Sequence, residues 1–376
     1  MTKLHDLYEQ QGQSPWLDNL RRDYLRGGRL AELVDEGIRG VTSNPTIFAK
    51  AIEAGNDYDE QFRDLLGSHT VEEAYWELVL TDIRDALAVL APVHESSDGV
   101  DGYVSLEVAP ILAHDTEGTI KAARHFHELV AEPNLYVKIP ATTEGVPAVR
   151  AMLGEGRNIN ITLLFSLERY DDVIEAYLGG LEDLVARGVT DLSSVRSVAS
   201  FFVSRVDTEV DRRLDTLAAQ VDPARAAEVL ALRGTAAVAQ ARRAYALFVE
   251  RFSGARWEAL AAMGAKVQRP LWASTSTKNP AYPDLAYVDT LIGPDTVNTM
   301  PDDTIAAFLD HGTPARTVDA DPEGARRALE RVEAAGVDMA DVGRTLEDEG
   351  VASFAKSFDE LIQKLSDKAN ALSAGA

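Results

Sequence analysis

A chain of 376 residues, 45% hydrophobic and 26% charged, has the length and composition of one large α/β barrel or two ordinary globular domains. No apolar run nears the roughly 20 residues of a membrane helix, the N-terminus carries no secretory signal, and the absence of cysteine excludes thiolate chemistry and points to a reducing cytoplasm. The formal charge of −24, from 37 basic and 61 acidic residues, argues against nucleic-acid or anionic-membrane partners, and it would repel phosphorylated metabolites unless basic groups gather at one site.

Taken in chain order, strand-like runs are expected at 16–18, 38–43, 102–108, 135–140, 158–165, 196–203, 269–274 and 296–299. Amphipathic helical stretches fall between them at 70–90, 116–130, 167–187, 207–253 and 283–291. The stretch 207–253 is too long for one crossover helix and reads as two, broken near Val221-Asp222-Pro223. Eight strands with helices interposed fit an α/β fold of the (β/α)8 TIM-barrel type better than a doubly wound sheet. No Gly-x-Gly-x-x-Gly or P-loop opens any helix, which weakens a nucleotide-binding reading. Beyond residue 300 the chain turns helical and highly charged at 302–309, 322–335 and 340–373, the last with at least one break. These C-terminal helices, 302–373, are expected to pack on the barrel, leaving 1–376 as a single domain. Trp76, Leu80, Ile83 and Leu87 keep helical spacing and read as core, and the charged run after Pro322 reads as a solvated helix face.

Lys138 stands in the apolar run Leu135-Tyr136-Val137-Lys138-Ile139-Pro140, where an ammonium has no evident partner. A buried, unpaired cation is costly, and the usual response is a depressed pKa and a neutral amine. A neutral amine attacks carbonyls and can form a Schiff base. The competing reading is an edge-strand lysine whose stem snorkels to water. Only nine of the 37 basic residues are lysines, so one inside a strand is informative.

Catalytic groups in such a barrel come from the C-terminal ends of several strands, and here those ends are polar. The second strand runs into Asn44, the third carries Glu107, the fifth carries Asn160 and Thr162, the sixth carries Ser200 before Arg205, and the seventh ends at Ser274 before Lys278. Strand residues alternate between faces, so Glu107 points away from Leu106 and Val108, and Lys138 away from Val137 and Ile139. Asn160 and Thr162 share one face. An amine, a carboxylate, an amide and a hydroxyl are thus expected to converge at one barrel mouth. Each of them alone would more often be a satisfied structural polar group.

The segments Gly40-Val41-Thr42-Ser43-Asn44-Pro45, Ser105-Leu106-Glu107-Val108, Val137-Lys138-Ile139-Pro140-Ala141-Thr142, Asn160-Ile161-Thr162-Leu163-Leu164-Phe165-Ser166 and Ser200-Phe201-Phe202-Val203-Ser204-Arg205 together resemble transaldolase. The resemblance runs in order from about residue 14 to 310 and is closest to the longer bacterial type. It implies transfer of a dihydroxyacetone unit from sedoheptulose 7-phosphate or fructose 6-phosphate to glyceraldehyde 3-phosphate or erythrose 4-phosphate, in the pentose phosphate pathway. Lys138 matches the Schiff-base lysine, and the iminium it forms is the electron sink for breaking C3–C4. Such chemistry requires no metal or organic cofactor, and the seven histidines are scattered.

The resemblance further implies that Asp18, in Trp16-Leu17-Asp18-Asn19, takes the C4 hydroxyl proton. Read from its neighbours alone, Asp18 also fits a helix N-cap before residues 19–25. Glu107 and Thr162 match a pair that relays protons through a water. Asn44 and Asn160 match residues that hold the dihydroxyacetone hydroxyls, and Ser200 matches another substrate contact. Arg205 and Ser274 match phosphate contacts. The shorter enzymes follow that serine closely with an arginine, whereas this chain has Ser274-Thr275-Ser276-Thr277-Lys278, so Lys278 is either the second cation or a solvated loop lysine. The expected partners are sugar phosphates, with the assembly left open between monomer and homodimer. Two other functions stay in view: a Schiff-base aldolase that releases free dihydroxyacetone, and a non-catalytic sugar-phosphate-binding barrel.

Overall fold

A computed structural model describes residues 1–374. Eight parallel strands close on themselves in chain order: β1 (Gln13–Leu17), β2 (Gly40–Thr42), β3 (Tyr103–Glu107), β4 (Leu135–Pro140), β5 (Ile159–Leu164), β6 (Ser197–Phe202), β7 (Arg269–Ala273) and β8 (Thr296–Met300). Closure is made by β1 against β8, in register from Gln13↔Thr296 to Leu17↔Met300. Every strand residue is buried, because helices cover the outer face and side chains fill the interior. This is the (β/α)8 barrel expected from the alternating runs.

The lower interior is aromatic. The rings of Tyr103 and Tyr136 stack at 4.1 Å between centroids, and Trp16 lies 6.2 Å from Tyr136. Gly40 of β2 makes room for this layer: a Cβ there would fall 2.4 Å from the Trp16 ring. With the floor filled, Glu107, two inward positions above Tyr103 on β3, and Lys138, the next inward residue above Tyr136 on β4, are lifted toward the C-terminal mouth.

Helix ends follow local chemistry. Thr70 and Glu73 form a capping box that starts the helix Val71–Ser96. Its residues Leu80, Ile83 and Leu87 are buried, and Trp76 packs on Phe126 and Phe358, so the helical stripe is core as expected. Among the described residues no helix is long and apolar enough to cross a membrane.

Three expected stretches differ. The stretch 207–253 holds three helices instead of two: Ser204–Ala218, Pro223–Leu230 and Ala236–Arg251. The second break falls at Gly234, whose φ of 68° is left-handed. The stretch 283–291 forms successive turns and no helix, its bonds running Ala286 to Pro283 and Val288 to Leu285. At the C-terminus, Met339–Ala374 is one unbroken helix of 36 residues. Its glycines serve close packing: a Cβ at Gly343 would meet Ser166 at 2.9 Å, and one at Gly350 would meet Leu163 at 2.9 Å. The helix therefore lies directly on the end of β5.

Candidate active site

Strand register sets the centre of the site. Glu107 of β3 pairs with Lys138 of β4, Lys138 with Asn160 of β5, and Pro140 with Thr162. Lys138 Nζ lies 3.2 Å from Glu107 Oε2, and their side chains are only 5% and 4% exposed. Nζ also donates to the Ser43 carbonyl at 3.3 Å. The sequence suggested an amine without a partner. It has one, because adjacent parallel strands bring the two inward residues level. Burial pushes the Glu107 carboxyl up, against the opposing pull of Lys138. Glu107 Oε2 falls outside hydrogen-bond geometry, and Thr162 Oγ1 has no partner among the described residues. Two such atoms on one inward face are unusual in a protein interior.

Around this pair, Asn160 is held at both ends. Its Nδ2 donates to Ser105 Oγ at 2.9 Å, and its Oδ1 accepts from Ser200 Oγ at 2.7 Å. Asp18 lies just past the end of β1, where its backbone N–H donates to the Met300 carbonyl at 2.9 Å. Its Oδ1 accepts from Thr42 Oγ1 at 2.7 Å, and Thr42 in turn meets Thr299 Oγ1 at 2.6 Å. Burial raises the Asp18 carboxyl and outweighs Lys138, the Thr42 bond, Lys278 and Arg205, all of which act to lower it. Asp18 is no helix cap, since the next helix is Arg22–Arg26, with Arg21 at its N-cap.

Above these groups opens a cavity of about 350 Å³ lined by Asp18, Asn44, Lys138, Ser200, Arg205, Ser274 and Lys278, among others. Asn44 caps the helix Pro45–Glu53, its Oδ1 accepting from Ile47 N at 2.9 Å, which leaves the amide N–H groups as its free donors. Ser274 holds a left-handed φ of 56°, a strained conformation for serine, and its Oγ meets Ser204 Oγ at 3.0 Å. The Arg205 guanidinium lies 5.3 Å from the centre of the Phe202 ring, and no carboxylate among the described residues pairs with it. Burial, then the charge of Arg205, holds Lys278 below the usual lysine range, and its Nζ donates to Ser276 Oγ at 2.6 Å. Glu107, Asn160 and Thr162 form the layer beneath the cavity. All ten residues singled out from the sequence thus lie at one end of the barrel.

A sequence model of the Transaldolase/Fructose-6-phosphate aldolase family matches residues 15–365. The chain is 54% identical over 357 residues to a transaldolase of Thermobifida fusca (strain YX), covering 94% of this chain and 95% of that one. It is 51% identical over 357 residues to a transaldolase of Parafrankia sp. (strain EAN1pec), covering 94% and 95%. It is also 50% identical over 355 residues to one of Saccharopolyspora erythraea, covering 94% of each chain. The chain belongs to this transaldolase family.

Several residues of this family member's site escaped sequence reasoning. Thr42 sits inside a motif already noted, yet its bond to Asp18 depends on the closure of β1 and β2. Lys50, on the first helix after β2, lines the cavity as a fourth cation. Ser353, Phe354 and Ser357 come from the C-terminal helix, and Ser357 Oγ accepts from Thr46 Oγ1 at 2.9 Å. Nothing in the local sequence marks them, because the contact spans 311 residues.

Proposed function

We infer that this protein is a transaldolase that moves a dihydroxyacetone unit between sugar phosphates through a Schiff base on Lys138. The observation that carries the reading is a buried amine facing a carboxylate at 3.2 Å, beneath a cavity lined by one further carboxylate and three more cations. On a chain of net charge −24, a cavity wall with Lys50, Lys138, Arg205 and Lys278 against Asp18 alone is a site for an anionic substrate.

The position of each group supports its role. Glu107, made more basic by burial, takes a proton from Nζ, and the amine adds to C2 of the ketose phosphate. Glu107 and Thr162, each with an inward oxygen lacking a hydrogen-bond partner among the described residues, relay the protons that convert the carbinolamine into an iminium and water. Asp18, raised by burial and directed by Thr42, takes the proton from the C4 hydroxyl. The C3–C4 bond then breaks, its electron pair moves into the iminium, and an aldose phosphate leaves. The enamine left on Lys138 adds to an acceptor aldehyde, and the same steps run backward. Asn44, Asn160 and Ser200 hold the hydroxyls of the three-carbon unit, while Arg205, Ser274 and Lys278 take the phosphate. The route uses only side chains of this protein.

The same reading places the enzyme in the pentose phosphate pathway and in the cytoplasm, and treats 1–376 as one barrel domain. Supporting the last point, the C-terminal helix is tied to the helices after β2 by Thr46–Ser357, by Glu53–Lys364 at 2.6 Å and by Asp59–Lys368. Borohydride reduction with fructose 6-phosphate tests the chemistry: a three-carbon adduct is expected on Lys138 by peptide mapping, and an unmodified Lys138 would sink it. Turnover that proceeds without erythrose 4-phosphate or glyceraldehyde 3-phosphate would instead indicate an aldolase releasing dihydroxyacetone.

A further inference from the structure

Lys50 is the one cation of the cavity with no role in the steps above. It lies on the helix Pro45–Glu53, four residues after Thr46 and three before Glu53, so the three share a stripe of that helix. The outer two are committed to the C-terminal helix, Thr46 to Ser357 at 2.9 Å and Glu53 to Lys364 at 2.6 Å. Lys50, between them, lines the cavity and has no carboxylate within ion-pair distance among the described residues. In so acidic a protein an uncompensated lysine beside two other cations is unexpected, since mutual repulsion opposes it unless an anion is to be bound.

The cations are also ordered by depth. The Lys50 charge adds to the fall that burial and Arg205 produce at Lys278. Lys50 and Lys278 are both exposed, on the rim, whereas Arg205 is partly buried. Counted outward from the buried Schiff-base lysine, Arg205 comes before Lys50.

Resting on the proposed transaldolase chemistry, we propose that Lys50 is a specificity-determining residue that favours the seven-carbon over the six-carbon ketose phosphate. Both donors bind the same three-carbon unit at Lys138, so the phosphate of the longer one lies one carbon farther toward the rim. Arg205 is a rigid fork on a buried helix start and cannot serve both positions equally. Lys50 carries its charge on a flexible stem at the outer position, where only the longer chain delivers its phosphate.

The test is a titration of Lys138 trapping by borohydride with each ketose phosphate alone, which reads binding without an acceptor. Wild type is compared with Lys50→Met, which keeps the stem and removes the charge, and with Lys50→Arg. The half-saturating concentration for the seven-carbon ketose, divided by that for the six-carbon ketose, should rise about fivefold in Lys50→Met and recover in Lys50→Arg. A ratio that stays level or falls in Lys50→Met, with Lys138 still trapped, overturns this inference alone. If wild-type Lys138 is trapped by neither ketose, the underlying transaldolase reading fails and this inference with it.

Discussion

The two ends of the barrel handle buried carboxylates in opposite ways. At the N-terminal end, Asp101 is fully buried and meets Arg39 at 2.7 Å, Arg269 at 3.1 Å, Ser14 Oγ at 2.7 Å and Trp16 Nε1 at 3.2 Å. Burial alone would raise this carboxyl, but two guanidinium groups and the Ser14 hydroxyl pull it below the usual aspartate range. At the C-terminal end, Glu107 and Asp18 both lie within the influence of Lys138, and burial wins for both. The difference lies in direct partners: Asp101 has four, whereas the Asp18 carboxylate accepts from Thr42 and Glu107 faces Lys138. A surplus of direct partners makes a fixed anion that braces the barrel, whereas a deficit leaves carboxylates basic enough to accept protons.

The largest effects should come from the end with the deficit. Lys138→Ala removes the proposed nucleophile, so transfer should fall by about ten-thousandfold or more while far-UV circular dichroism stays that of the folded barrel. A variant that keeps near wild-type turnover would end the comparison, since the C-terminal end would then hold no reactive amine. Next comes Asp18→Asn, which keeps an acceptor for Thr42 Oγ1 and loses the proposed base. Its kcat should drop about 100- to 10,000-fold. Thermal stability should hold or rise, because a carboxylate whose ionisation the fold disfavours has been replaced by a neutral amide. A marked fall in Tm would show instead that Asp18 braces the structure as Asp101 does.

How far these ends could be read in the sequence depended on whether the signal was local. β4 was expected at 135–140 and is Leu135–Pro140, since an apolar run interrupted by one lysine is a local pattern. β1 was placed at 16–18 but runs Gln13–Leu17, because Gln13, Ser14 and Pro15 disguise it. Pro15 keeps half of its ladder role, its carbonyl accepting from Arg39 N at 2.9 Å. That the ten candidate residues share one end of the barrel was legible because they fall on strands or just after them, seven of them in ordered motifs. What joins them was not: the pairing of Glu107 with Lys138 is a matter of register between strands, which no single segment encodes. The shift of register in β5 between Ile161 and Leu164 was equally hidden, because Leu163, at φ 58°, is neither glycine nor asparagine. The roof contributed by Ser353, Phe354 and Ser357 needed the path of the last helix. The Asp101 network was invisible for the same reason, its partners coming from β1, β7 and the residue before β2.

The smallest effect on activity, and the sharpest contrast, belongs to Asp101→Asn. The change leaves Arg39 and Arg269 without their carboxylate in a buried setting, so stability at pH 7 should fall by about 3 kcal/mol, read by urea denaturation. The kcat of the folded fraction should stay within about twofold, because the site lies at the other end of the strands. The pH dependence separates the two ends further. Asp101 has a folded pKa below its unfolded value of about 3.9, so its contribution is complete above that pH and disappears as the pH falls through the folded value. Asp18 has a raised folded pKa, so its ionisation penalises the fold at neutral pH, and the penalty fades as acid protonates it in both states. Stability differences from wild type should therefore start with opposite signs at pH 7, negative for Asp101→Asn and zero or positive for Asp18→Asn. The Asp18→Asn difference should fade as the pH falls toward about 4, and the Asp101→Asn difference only as the pH falls below it. If the two variants instead lose stability in parallel at every pH, burial and donor number do not distinguish the ends, and the assignment of Asp18 as a poised base loses its physical support.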